Sequence, residues 1–160
     1  MVLLLALVGV WSLAPDRSWG GVPGLHVYAK PNSILFFLAQ LLPPLGIIIG
    51  IYMCWTGADH PGGAFQGGTV LAAIWILVMI AGLQRMPAIG QRSIRLLVIF
   101  GPATFLTIGL AGLALAGAFL AYPTGYAKPL IIVVEATLTV SIAVTLGLLA
   151  AGPPERMLQQ

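Results

Sequence analysis

The sequence predicts an all-α integral membrane protein with four spanning helices and a short amino-terminal membrane helix. Composition points there first. Of 160 residues 59% are hydrophobic and only 7% charged, with a mean hydropathy of +1.04, far outside the range of soluble domains. Second, four apolar runs reach the roughly 20 residues that a helix needs to cross a bilayer: Ser33 to Trp55, Phe65 to Leu83, Ile94 to Ala121 and Leu130 to Ala151. Third, charged residues lie mostly between these runs, so the net charge of +3 speaks of orientation rather than of nucleic acid. In lipid, apolar side chains are already solvated, and the helices must associate by packing and polar contacts.

The amino-terminal run Val2 to Ala14 has 13 residues, about 20 Å of helical rise. It reads as a short membrane helix that needs shelter from partner subunits. A signal peptide fits less well, because a basic leading segment and a small-residue cleavage site are both missing. Pro15 to Asn32 carries Gly20, Gly21, Pro23, Gly24 and Pro31 and reads as a loop. Residues 1–32 thus form a leading segment, 33–151 the transmembrane bundle and 152–160 a cytoplasmic tail. Within the first span, Pro43-Pro44 removes two backbone donors and predicts a kink or break near Leu41 to Pro44. Gly46 and Gly50, and the glycine and alanine enrichment of Gly109 to Ala118, predict close helix contact. Arg85, Arg92 and Arg95 cluster around the connection between the second and third long spans, which places the Arg85/Arg92 loop in the cytoplasm of a cell whose inner membrane holds the chain. Alternating spans bring Arg17, Lys30 and Arg156 to the same side and leave Lys128 opposite. Trp55, Tyr122 and Tyr126 fit an aromatic belt on the outer face.

Between the first two long spans the chain reads His60-Pro61-Gly62-Gly63-Ala64-Phe65-Gln66-Gly67-Gly68. The glycines and the proline predict a turn at the helix mouth, with bare N–H groups that must find partners in protein, water or ions. Glu135 stands six residues past Pro129, about 9 Å into the last span. A carboxyl at that depth must be protonated, paired, or facing water or a cation, which makes it an ion-path candidate or else an interhelical hydrogen-bond donor. Asp59 and His60 at the interface are further ion-path candidates, with a cap or loop hydrogen bond as the structural alternative. Thr139 belongs with Thr137, Ser141 and Thr145 to a set of hydroxyls that can bond across helices or line a wet seam. The single Cys54 makes no internal disulfide, and the two separated histidines do not form a metal site with it. The glycines lack the lysine and hydroxyl of a phosphate-binding loop. No cofactor, no nucleic acid and no catalysis by this chain alone are expected.

The segment Gly57-Ala-Asp-His60-Pro61-Gly62-Gly63-Ala64-Phe65-Gln66-Gly67-Gly68, running into an apolar helix, resembles the signature of the MnhB (MrpB) family. There the turn commonly reads Leu-Pro-Gly-Gly-Gly-Phe, then another residue and Gly-Gly. Pro61, Gly62, Gly63, Phe65, Gly67 and Gly68 match, whereas His60 and Ala64 depart. The last span, from Pro129 through Glu135, resembles the family's last helix, in which the acidic residue is followed by glycine where Ala136 stands here. Residues 1–32 resemble, more weakly, the tail of an adjoining MbhE-type segment. The resemblance implies a small membrane subunit of a multisubunit Mrp-type Na+/H+ antiporter that holds no redox cofactor and whose partners are other membrane subunits and the lipid bilayer. The alternatives are a membrane subunit of an ion-translocating hydrogenase or oxidoreductase whose active site lies in other chains, and a purely structural adaptor. By this reading the glycine turn serves close subunit contact, and titratable chemistry falls to Glu135.

Overall fold

The computed structural model describes residues 33–85, 87, 91–122 and 125–151. The expected short helix at Val2 to Ala14, the loop after it and the tail 152–160 lie outside the described residues. Those described form four helices, α1 (Ile34–Thr56), α2 (Gly63–Ile80), α3 (Arg92–Ala116) and α4 (Ala127–Ala151). All four are long and apolar enough to cross a membrane, so the all-helical membrane architecture expected from the apolar runs is the one observed.

Three features narrow or differ from expectation, each for a local reason; at Pro43-Pro44, where a kink or break was expected, only the break is ruled out. Pro43 and Pro44 lie inside α1 without breaking it. Proline fixes φ near its helical value, so the helix continues with two fewer N–H donors. Second, α2 begins at Gly63, so the turn is shorter than the glycine-rich segment, and Gly67 and Gly68 are helical residues. In lipid a glycine within a helix bares the backbone to a neighbour more than it interrupts the chain. Third, α3 ends at Ala116 rather than near Ala121, because Gly117 takes the left-handed conformation (φ 76°) and caps it. The next residues fold back: Leu120 donates its N–H to Gly109 O at 3.4 Å, and the Phe105 and Phe119 rings meet edge to face at 6.1 Å. Gly109 and Gly112 therefore accommodate this returning loop, at Phe119 and Ala121, where a contact with another helix was expected.

Lateral order in the bundle is α1, α2, α4, α3: α2 and α4 are central, α1 packs mainly on α2, and α3 on α4. Small residues set the spacing of each seam. Gly46 and Gly50 of α1 face Ile74 and Leu71 of α2, and a Cβ at Gly67 would lie 2.8 Å from Gly50 O. Gly68 takes the side chain of Ile142, Gly147 the Trp75 ring, and Gly101 the Cβ of Ser141. A small cluster of Ile94, Val98, Val144 and Leu148, with Trp75 against it, completes the core. The outer side of α1 leaves Ile34, Phe37, Leu41, Ile48, Tyr52 and Trp55 exposed, as suits a helix against lipid or another subunit.

The span hydroxyls mostly bond within their own helix. Thr104, Thr107, Thr137, Thr139 and Thr145 each donate to a carbonyl one turn back. Ser141 is different: its Oγ is fully buried and donates to Val98 O at 2.5 Å, joining α4 to α3. Interhelical hydrogen bonds in membranes contribute about 0.6–2 kcal/mol. Ser141→Ala is accordingly expected to lower stability by about 1 kcal/mol, with the acceptor left unpaired. Thermal unfolding of the purified assembly checks this, and an unchanged midpoint would show that the bond contributes nothing.

Candidate functional site

The end of α1 and the start of α2 meet backbone to backbone. Gly57 caps α1 by donating its N–H to Met53 O, and the N–H groups of Asp59 and His60 donate to Thr56 O. The chain then reverses through Gly62, whose φ of 97° lies in the left-handed region where side chains other than glycine are strained. A Cβ on Gly63 would overlap Gly57 Cα and approach Met53 O to 2.7 Å. The glycine pair Gly57/Gly63 thus lets two helix termini touch inside one chain. The close contact observed at this turn is between α1 and α2 of the one chain, where the sequence suggests contact with another subunit.

Glu135 comes up against that junction from α4. A Cβ on Gly57 would lie 2.9 Å from Glu135 Oε2, and the Ala64 backbone N–H, in the first turn of α2, donates to the Glu135 carboxyl. The positive end of the α2 dipole favours negative charge at this spot. Oε2 is buried, with no hydrogen-bond partner among the described residues. A carboxyl oxygen so placed has lost water without gaining a donor among the described residues, and a proton, a cation or a donor from another segment or subunit would satisfy it.

The other candidates divide around this centre. Asp59 is paired: Lys128 Nζ donates to both of its carboxylate oxygens at 3.0 Å. This pair joins the α1–α2 turn to the start of α4 at one end of the bundle, with Arg85 and Arg92 at the opposite end. His60 is exposed at the tip of the turn. Thr139 is buried, yet its hydroxyl is committed to Glu135 O at 2.7 Å, and its Cγ2 lies 3.4 Å from where a Gly67 Cβ would stand. It therefore packs the α2–α4 seam rather than reaching the Glu135 carboxyl. Pro61 and Phe65 are exposed, so these two side chains of the motif face away from the bundle, Phe65 being the larger. Gly62 shapes the turn, while Gly63, Gly67 and Gly68 shape its seams.

The sequence marks both Glu135 and the glycine turn as nearest any ion path but does not show that they touch, and it gives Lys128 no site role. The signal for Lys128 was its place as the lone basic residue at the outer end, on the same side as Asp59. An apolar cavity of about 280 Å³ lies between α1, α2 and α4, walled by Gly50, Cys54, Trp55, Leu71, Ile132 and Thr139 among others. Neither Glu135 nor any charged residue lines it. Its walls offer water almost no partners, so it is not a hydrated route. Among the described residues no group of three or more His, Cys, Asp or Glu side chains could hold a metal ion.

Comparison with known proteins gives two matches. The family described as "Domain related to MnhB subunit of Na+/H+ antiporter" matches residues 34–152, which takes in all four helices. An uncharacterized protein of Methanocaldococcus jannaschii is 34% identical over 97 residues, covering 60% of this chain and 37% of that protein. The chain thus matches little more than a third of that relative's length. No solved structure matches the chain.

Proposed function

This chain belongs to the family of domains related to the MnhB subunit of Na+/H+ antiporters, and from that premise we propose that it is a small membrane subunit of a multisubunit cation/proton antiporter, with Glu135 on or beside the ion path. The observation that carries the reading is the buried, unpartnered Oε2 of Glu135 at the junction of α1 and α2. A carboxyl can accept and release a proton or hold a monovalent cation, which are the two tasks that Na+/H+ exchange requires of a protein group. The Ala64 N–H holds the carboxyl in place through its backbone, so among the described residues the group is positioned by backbone rather than by a second charged side chain.

The partners are other membrane subunits. Exposed apolar side chains along α1 offer one face to lipid or to such a neighbour, and Phe65 projects from the turn at the same end as Asp59. In the cytoplasmic membrane the Arg85/Arg92 end faces the cytoplasm and the turn faces outward, by the bias of basic residues. The chain contributes structure and a titratable group, and no reaction of its own.

Purification of the intact assembly from native membranes, with every subunit identified, tests this reading. Large antiporter-like membrane subunits are expected to accompany the chain, and the assembly is expected to exchange Na+ for H+ when reconstituted. Redox subunits in the preparation would move the chain to a hydrogenase or oxidoreductase complex, and a chain without companions would remove the subunit reading.

A further inference from the structure

One face of α4 grips the α1–α2 turn at two heights. Lys128 and Glu135 stand seven residues apart on α4, two helical turns and about 10 Å along one side of the helix. At the upper height Lys128 Nζ holds both oxygens of Asp59 at 3.0 Å. At the lower height the Glu135 carboxyl lies under Gly57 and takes the Ala64 N–H. The peptide from Gly57 to Ala64 therefore lies between the exposed Asp59 and the buried oxygen of Glu135. Glu135 Oε2 is itself buried and lies against Gly57, so this peptide covers that oxygen at this end of the bundle.

We infer that the Asp59–Lys128 pair is the latch of that cover: Lys128 is a positioning residue whose contact with Asp59 keeps the turn closed over Glu135, and whose release opens the carboxyl to water and small cations. The pair suits a reversible contact. Its side chains are 58% and 53% exposed, so the attraction is weak, dissolves and reforms readily, and is screened by salt. The left-handed Gly62 and the bare Gly57 and Gly63 leave the cover without side chains that would wedge it in either position. Only the purpose of the latch rests on the ion-path reading of Glu135. The closure itself does not, and it can be read separately.

The test is hydrogen exchange in the intact complex, followed by mass spectrometry of the peptide holding Ala64, whose N–H is released when the cover lifts. Lys128→Gln is expected to speed exchange at this peptide several-fold while the middle of α2 is unaffected, and the charge swap Asp59→Lys with Lys128→Asp to restore the slow rate. Salt at about 1 M, where the screening length falls to about 3 Å, is expected to do the same to the unaltered complex, which covers a variant that fails to assemble. Exchange at Ala64 that is indifferent to both the substitution and salt would overturn the latch. Linking Lys128 to Asp59 as an amide with a water-soluble carbodiimide then locks the cover. Ion exchange is expected to fall to background, with Asp59→Asn treated alike as the control. A locked complex that still exchanges ions would remove the gating role. Loss of the Glu135 reading alone would leave the hydrogen-exchange result standing.

Discussion

Gly63→Leu is expected to abolish stable accumulation of the complex, and Gly63→Ala to lower it well below the unaltered level. The reason is what a side chain at Gly63 would meet. A Cβ there overlaps Gly57 Cα and lies 2.7 Å from Met53 O and 2.9 Å from Gly57 N. Every one of these atoms is backbone, so no rotamer change can make room. Relief requires the end of α1 to part from the start of α2. That movement would withdraw Gly57 and Ala64 from Glu135 and open both seams that begin at the turn. Overpacking by a methylene or two typically costs about 1–3 kcal/mol, and a leucine against fixed backbone lies at or beyond the upper end. Gly117 gives the contrast: it has left-handed φ, but a Cβ there meets nothing within 4 Å. Gly117→Ala carries only conformational strain, about 1–2 kcal/mol, and is expected to leave appreciable complex. Native gels of solubilised membranes measure both, and normal complex yield for Gly63→Leu would show that the α1–α2 contact is not needed for assembly.

The parts of this molecule that could be read from sequence are those set by lipid. Four apolar runs of spanning length become α1 to α4 because an unpaired backbone cannot exist in hydrocarbon. The side on which each loop lies follows by alternation, and the Asp59–Lys128 contact agrees that the turn and the start of α4 share an end. Residues that break helices in water were harder to read. Pro43 and Pro44 sit within an unbroken α1, and Gly67 and Gly68 lie inside α2, since helix packing in the bilayer rewards a bare backbone that local propensity counts against. The site was legible only in pieces. Glu135 stood out by its depth and the turn by its glycines, but their meeting depends on the axial register of α4 against α2. That register is set by contacts such as Gly68 with Ile142 and Gly147 with Trp75, which leave no periodic mark in the sequence. Thr139 illustrates the converse: a hydroxyl near an acid suggests a ligand, yet its bond to Glu135 O commits it to the helix.

Glu135→Gln is expected to bring ion exchange to the background of vesicles lacking the complex while leaving assembly intact. Glutamine keeps nearly the same volume and an oxygen able to accept the Ala64 N–H. What it lacks is the ability to take up and release a proton or to carry the charge that attracts a cation. The substitution therefore separates chemistry from packing, and Glu135→Asp refines it. A carboxyl one methylene shorter retains the chemistry but draws back from Gly57 and Ala64, so intermediate exchange is expected. Neither variant alters a residue of the Asp59–Lys128 pair or of the Gly57/Gly63 junction. The deciding measurement is Na+-driven proton movement in vesicles holding equal amounts of assembled complex, read with a pH-sensitive dye. Exchange at background for Glu135→Gln, with partial activity for Glu135→Asp, is the result expected of an ion-path carboxyl. Full exchange by the Glu135→Gln complex would contradict it and leave Glu135 as an interhelical hydrogen-bonding group.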